Sequence, residues 1–366
     1  MHVAILIGHF PPGSFGGAEI QAEAWARRLA DRHQITVITR RDPVTQPSRE
    51  DRDGFRVVRL PVSPIPGWRT CADVLAIERA VRMLEPRPDL LLCFQTFLSG
   101  LAGVRLQRAT GIPAVVWIRG EAEYRFAHSR VHRVVSPRVW REAAGVLVQS
   151  EENRVELLKA LDQHAPVIAS VVRAKLAVVP NGLDLPEGPF LPGNRILSVG
   201  RLIRDKGMDT VLEAAAGAGI PLTIAGDGPE RMVLEARAGQ LGLDARFEGY
   251  ASRARLDLLY RQAACVVLAA RRGEGLPNVL LEAMAHARAV VATPCAGTRD
   301  LLVDGVNGLL VPPDDAPALR AAMERLRREP GLSLRLGAEA RRTAEGFRWD
   351  RVQPLLEDVI ALRGRR

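Results

Sequence analysis

The fold class predicted for this 366-residue chain is α/β, with two doubly wound parallel sheets in two halves of similar size. Three observations predict it. Short β-branched runs alternate with helix-period segments from end to end, the pattern of sheets built from βαβ units. The length exceeds what one hydrophobic core usually holds. The alternation breaks once, in "NGLDLPEGPFLPGNR" (Asn181 to Arg195), a stretch dense in Gly and Pro with no period, which is a linker composition. Domains are therefore expected over 1–184 and 185–347.

The opening "MHVAILIGHFPPG" lacks a basic n-region, and its apolar run is too short for a signal peptide, so it reads as a buried first strand. Further strands are expected at "ITVIT" from Ile35, "LLLCF" from Leu90, "AVVWI" from Ala114, "GVLVQS" from Gly145 and "LAVVP" from Leu176. Helices are expected at Ala18–Asp31, Ala72–Leu84 and Glu151–Leu161. The second half repeats the rhythm with "RILSVG" from Arg195, "LTIAGDG" from Leu222, "ARFEGY" from Ala245, "CVVLAA" from Cys265, "AVVATP" from Ala289 and "NGLLVP" from Asn307. The closing segment, about 348–366, spaces Val352, Leu355, Leu356, Val359, Ile360 and Leu362 as one helix face. It is expected to pack back on the first domain.

Composition narrows the class of function. Hydrophobic content of 47% and charged content of 25% are ordinary for a globular protein. No apolar run approaches the ~20 residues of a membrane helix. Cys71, Cys93, Cys265 and Cys295 stand far apart without a C-x-x-C pair, which argues against a disulfide framework or zinc site and for the cytosol. The net charge of +9 is spread thinly, +6 over residues 1–185 (25 basic, 19 acidic) and +3 over the rest (26 basic, 23 acidic). That excess suits anionic small molecules or an anionic membrane surface more than nucleic acid. One cluster stands out: Arg125, Arg130, Arg133, Arg138 and Arg141 among Val and Trp. It reads as a solvated helix face or as a peripheral patch for the inner face of a membrane.

Three stretches carry candidate chemistry. In "GHFPPGSFGGAEIQAEAW", Gly13, Gly16 and Gly17 make a loop that opens a helix, where amides and the helix dipole hold anions. Neither G-x-G-x-x-G nor a Walker loop occurs. In "SVGRLIRDKGMDT", Arg201 lies at a strand's carboxyl end and Lys206 precedes Gly207 where a helix begins. Arginine grips two oxygens in a fork while lysine acts as a point charge, so the pair suits a diphosphate. Only three of the 51 basic residues are lysines, so Lys206 suggests that an ammonium is wanted.

The third stretch, "RRGEGLPNVLLEAMA" (Arg271 to Ala285), runs from loop into helix, with Pro277 suited to the first turn. Gly275, Leu276, Pro277 and Asn278 surround the turn whose amides can receive phosphate oxygens. Glu274 and Glu282 flank it. A carboxylate within an apolar run is costly unless it is solvated or bound, and carboxylates accept from the adjacent hydroxyls of a sugar or ribose. Ligands of doubly wound sheets bind beyond the strands' carboxyl ends, so with two sheets the cleft between them is the expected site.

These stretches, taken in order, resemble the retaining GT-B glycosyltransferases of family 4, also called glycosyltransferases group 1. The segments that carry the resemblance are "GGAE" (Gly16–Glu19), "NGLD" (Asn181–Asp184), "GRLIRDKG" (Gly200–Gly207), "AGDGP" (Ala225–Pro229), "FEGY" (Phe247–Tyr250), "EGLPNVLLEAMA" (Glu274–Ala285) and "DGVNGLLVPPDD" (Asp304–Asp315). It covers essentially the whole chain, and the block from Arg271 to Asp315, which holds the E-x7-E signature, is its most specific part. The resemblance implies two Rossmann-like domains facing each other across a cleft, and transfer of a sugar from a nucleotide-diphosphate donor to a hydroxyl with retention, without a metal or other cofactor.

By the same resemblance Arg201 and Lys206 hold the diphosphate, Glu282 takes the ribose hydroxyls and Glu274 the transferred sugar. Gly16 and Gly17 close on the donor, and backbone at Gly249 and Tyr250 meets the base. The implied acceptor is a glycan or lipid-linked glycan of cell-surface, lipopolysaccharide or exopolysaccharide synthesis. Three departures stand out, one of them Asp300 where Glu is commoner, a shorter carboxylate. Arg119-Gly120-Glu121 stands where many members have His-Gly, which gives the sugar's 6-position and the acceptor a different neighbour in Arg119 or Glu121. Ala287 and Ala289 replace the usual Gly and Pro and read as neutral packing changes.

Three rival readings compete with this one. A glycoside hydrolase also pairs carboxylates but needs no cation pair. A nucleotide-sugar 2-epimerase shares the architecture. A basic membrane-binding module leaves both glutamates unexplained.

Overall fold

The computed structural model describes residues 1–12, 16–62, 69–120, 123–124, 130–191, 193–272, 275–295 and 297–364. Gly13, Glu121, Arg125 and Glu274 lie outside them. The chain forms two compact units, Met1–Asn181 with Val352–Arg366, and Gly182–Arg351.

The first unit holds strands β1 (His2–Leu6), β2 (Gln34–Arg40), β3 (Arg49–Arg52), β4 (Phe55–Leu60), β5 (Leu90–Phe94), β6 (Ala114–Trp117), β7 (Gly145–Val148) and β8 (Leu176–Val178). Its helices are α1 (Gly17–Ala30), α2 (Arg69–Arg82), α3 (Leu101–Thr110), α4 (Arg130–Glu142), α5 (Glu151–His164) and α6 (Pro166–Arg173). The sheet order is β3-β4-β2-β1-β5-β6-β7-β8. Every residue of β1, β5, β6 and β7 is buried, which explains their continuous apolar runs: a parallel sheet covered on both faces has no polar side. On α1, Ala22, Trp25, Ala26 and Leu29 fall on one buried face, and Trp25 meets Trp117 of β6 at 5.5 Å between ring centroids.

The pair β3–β4 is antiparallel and absent from the sequence expectation, although its signal is present. Asp53 (φ 38°) and Gly54 (φ 88°) form a two-residue turn, and Asp-Gly is the dipeptide that such hairpins favour. Charged residues at Arg49, Glu50, Asp51 and Arg52 hid it; they suit an edge strand facing water.

The second unit holds β9 (Arg195–Val199), β10 (Leu222–Ala225), β11 (Ala245–Gly249), β12 (Ala263–Leu268), β13 (Val290–Ala292) and β14 (Leu309–Leu310). Its helices are α7 (Met208–Ala218), α8 (Arg231–Gln240), α9 (Arg253–Gln262), α10 (Asn278–Ala285), α11 (Ala316–Arg328) and α12 (Pro330–Ala344). The order is β11-β10-β9-β12-β13-β14, parallel throughout. One core layer gathers Met208, Val211, Leu234, Leu319 and Met323. The other gathers Leu259, Tyr260, Leu280, Met284 and Ala340. The chain winds outward from β9 to β11, then returns to β12 beside β9 and winds the other way. The point of reversal, between β9 and β12, is where doubly wound sheets open a crevice for ligands.

The last helix, α13 (Trp349–Arg363), starts in the second unit, and its residues from Val352 belong to the first. There Glu357 Oε2 lies 2.6 Å from His33 Nε2, and Gln353 donates to the Arg28 carbonyl at 3.3 Å.

Ala287 corrects one expectation. It links α10 to β13 at φ 51°, in the left-handed region, where a Cβ costs about 1–2 kcal/mol. It is therefore a strained substitution rather than a neutral one. Ala287→Gly is expected to raise stability by about 1 kcal/mol, read as a higher denaturant midpoint at constant slope; an unchanged or lower midpoint would show the strain to be relieved elsewhere.

Candidate functional site

The carboxyl edge of the second sheet collects most of the expected residues. Beyond β9 come Gly200 and the exposed Arg201, then a turn over Arg204–Lys206, then Gly207 leading into α7. Gly207 sits at φ 64°, and a Cβ there would run into the Ala269 carbonyl oxygen. Only glycine lets this turn lie so close to the chain leaving β12. The loop bearing Arg201 and the half-buried Lys206 is thus seated against the loop that follows Leu268, at the reversal point.

Arg271 locks the two loops together. Its backbone N–H donates to the Asp205 carbonyl at 2.9 Å. Its guanidinium donates to the Arg204 carbonyl (2.6 Å), Asp209 (2.7 Å), Thr210 (3.3 Å) and Asp314. The bond to Asp209 leads in holding Arg271 above the ordinary arginine range, against some loss from burial. For Asp209, burial is the largest influence and pushes its carboxyl up, but the hydrogen bond and charge of Arg271 outweigh it, so the net shift is downward. Sequence reading passed over Arg271 as one arginine in "RRG". Nothing in its spacing signals that it bonds a loop over sixty residues away.

Gly275, Leu276 and Pro277 are buried, and Asn278 opens α10. Pro277 is not in the first helical turn as expected. It is the N-cap, with extended backbone (φ −73°, ψ 107°), because proline lacks the N–H and its carbonyl is free to accept, here from Leu280 at 3.1 Å. At the end of β11, Gly249 (φ 64°) accepts from the Gly226 N–H at 2.7 Å, and Tyr250 stands 53% exposed.

Glu282, expected to be either solvated or ligand-bound, is half-buried and has an internal partner. Tyr260 of α9 donates its hydroxyl to Glu282 Oε2 at 2.8 Å. Burial raises the Glu282 carboxyl above its usual range, opposed by the Tyr260 bond and by the charges of Arg253 and His286. Burial, with the neighbouring Glu282 charge, raises the Tyr260 phenol well above its ordinary value, so it stays a donor. Tyr260 was missed because it sits beside Leu256 and Leu259 at helical spacing and reads as core.

In the first unit, the exposed Gly16 and Gly17 cap and open α1, and Gly16 as N-cap has no side chain to offer a cap bond. Arg119 follows β6. Its Cζ lies 4.9 Å and 5.2 Å from the ring centroids of Trp117 and Phe94, and Nη2 donates to Asn181 at 2.9 Å. Nε and Nη1 are shut from solvent and have no hydrogen-bond partner among the described residues, and burial lowers the guanidinium to about 9. Thr96 and Arg119 donate their backbone N–H groups to Glu123, each at 2.6 Å. Among the described residues no group of three or more His, Cys, Asp or Glu is placed to hold a metal ion.

Two family models divide the chain between them. Residues 16–182 match the glycosyl transferase 4-like domain and residues 186–343 match glycosyl transferases group 1. Among curated relatives, the chain is 28% identical to the exopolysaccharide phosphotransferase SCO2592 of Streptomyces coelicolor, over 94% of this chain and 39% of that one. It is 32% identical to the α-D-kanosaminyltransferase of Streptomyces kanamyceticus, over 64% of this chain and 66% of that one. The chain thus matches less than two thirds of the length of each of these two relatives. Sucrose-phosphate synthase from Thermosynechococcus elongatus superposes with a TM-score of 0.85 at 22% identity, covering 99% of this chain and 98% of that one. Anabaena HepE, solved in complex with UDP and glucose, gives 0.78 at 18% identity over 99% of both chains. These likenesses establish the fold class as two Rossmann-like α/β domains with parallel sheets.

Proposed function

We propose that this chain, a GT-B glycosyltransferase built from a 4-like domain and a group 1 domain, transfers a sugar from a nucleotide-diphosphate donor to a hydroxyl acceptor with retention and without a metal. The observation that carries the reading is the seating of the loop that bears Arg201 and Lys206 against the chain leaving β12, at the reversal point of the second sheet. A departing diphosphate needs preplaced positive charge and amides, and strand ends at such a point supply both.

In this reading Arg201 and Lys206 steady the leaving group, Glu282 accepts from the ribose and Glu274 from the sugar, while Gly249 and Tyr250 border the base. Arg119 gives the first unit a polar contact for acceptor or sugar. The UDP and glucose of the HepE structure support a nucleotide-sugar donor, and the relatives' names support an acceptor in polysaccharide or glycoside synthesis. The test is incubation with nucleotide sugars in EDTA, with and without saccharide acceptors. Transfer to an acceptor supports the reading. Epimerised donor without acceptor, or cleavage of plain glycosides, overturns it.

The raised carboxyl of Glu282 adds a pH dependence. As pH falls through that raised value the group takes up a proton and loses an acceptor, so the donor's KM is expected to climb on the acid side, above the pH at which an ordinary glutamate titrates. Glu282→Gln is expected to remove that limb while raising KM at neutral pH; an unchanged limb assigns the titration to another group.

A membrane surface is part of the proposal. On α4, Arg130, Arg133, Arg138 and Arg141 are exposed together with Val131 (60%) and Val134 (48%), the mixture that anionic bilayers attract. No described helix is long and apolar enough to cross a membrane. Salt-sensitive co-sedimentation with phosphatidylglycerol vesicles is expected, and equal recovery at low and high salt would leave this face as ordinary surface.

A further inference from the structure

Tyr260 and His286 are almost wholly buried, at 1% and 6% exposure. The Tyr260 ring stacks on His286 at 5.1 Å and 25°. His286 Nδ1 lies 2.7 Å from the Glu282 carbonyl, and Nε2 lies 2.8 Å from Asp257, which accepts from Arg261 at 2.7 Å. Asp257, Tyr260 and Arg261 belong to α9, Glu282 to α10, and His286 caps its end. The two helices are therefore fastened at two points, and one of them is the hydrogen bond from Tyr260 to Glu282 Oε2. A phenol buried in an apolar layer is retained against phenylalanine when its hydroxyl has a partner, and among the described residues this one's partner is Glu282. Among the described residues no hydrogen bond reaches Oε1 of the same carboxylate.

We propose that Tyr260 is a positioning residue for nucleoside recognition: its hydroxyl fixes the Glu282 carboxylate so that Oε1 is presented as a rigid acceptor to the ribose, selecting ribonucleotide over 2′-deoxyribonucleotide donors. This rests on the reading of Glu282 as the ribose acceptor. A tethered carboxylate has already lost its rotational freedom, so binding a hydroxyl costs less than ordering a free side chain would. A nucleotide without that hydroxyl leaves Oε1 unpaired, which is the strong form of discrimination.

The test measures dissociation constants of UDP and dUDP, GDP and dGDP, and ADP and dADP for the full chain and for Tyr260→Phe, Glu282→Gln and the double variant. Each ratio comes from one protein preparation, so partial unfolding cancels. The wild type is expected to favour the ribose form of its best nucleotide by roughly tenfold or more. Glu282→Gln is expected to bring the ratio near one, Tyr260→Phe to cut it by roughly threefold or more, and the double variant to match Glu282→Gln. A wild-type ratio in Tyr260→Phe beside a lost ratio in Glu282→Gln overturns the tether and leaves the ribose reading standing. A wild-type ratio in Glu282→Gln overturns both. Failure of all six nucleotides to bind overturns the proposed function itself.

Discussion

Lys206→Ala is expected to lower turnover by about 10²-fold or more, the usual loss when one preplaced charge on a developing anion is removed. The side chain ends the Arg204–Lys206 turn, which Gly207 seats against the Ala269 carbonyl. The turn's backbone is fixed by the Lys206 N–H to Ile203 carbonyl bond at 3.0 Å and by the Arg271 contacts, none of which uses the lysine ammonium. The substitution therefore removes charge and keeps these backbone bonds of the turn. Lys206→Arg is expected to fall between the two, since a fork replaces a point charge at the wrong reach. Wild-type turnover in Lys206→Ala would remove the diphosphate from this loop.

Arg271→Met has the second large effect, through position rather than charge. The substitution removes bonds to the Arg204 carbonyl, Asp209, Thr210 and Asp314. Asp209 and Asp314 are 49% and 59% exposed, so water recovers part of the loss and the net cost is about 2 kcal/mol, less than buried charge-assisted bonds would give. Asp314 also loses the partner beside its left-handed backbone, φ 58°. The larger consequence is catalytic, because a misplacement of about 1 Å in a positioning element costs about 10²-fold, and this arginine joins the Lys206 turn to the chain leading to Gly275. Stability and kcat/KM are expected to fall together, with partial return in Arg271→Lys. Reduced stability with full kcat/KM would make the contacts structural alone.

The architecture was legible because its strands are of the kind that sequence reports best. β1, β5 and β7 are apolar without interruption because the sheet is covered on both faces, and helices between them keep a single buried face. The hairpin Arg49–Leu60 was legible in Asp53-Gly54 but was masked by the charges of an edge strand. At the site, Arg201, Lys206 and Glu282 announced themselves as charges in unexpected company. Tyr260 and Arg271 did not. A tyrosine at an apolar helical position and an arginine in an arginine-rich chain look ordinary until folding brings a carboxylate to each. Ala287 shows the same limit for the backbone, since its sign of φ depends on how α10 must turn into β13 and leaves no mark in composition.

Equilibrium titration of UDP, GDP and ADP into the wild-type chain and Arg201→Ala/Lys206→Ala, in EDTA at two ionic strengths, tests diphosphate binding at this loop most directly. Saturable binding of at least one nucleotide to the wild type, weaker at high salt and lost by about tenfold or more in the double variant, is the predicted result. Equal affinity in both proteins, or no binding of any of the three at millimolar concentration, would contradict it.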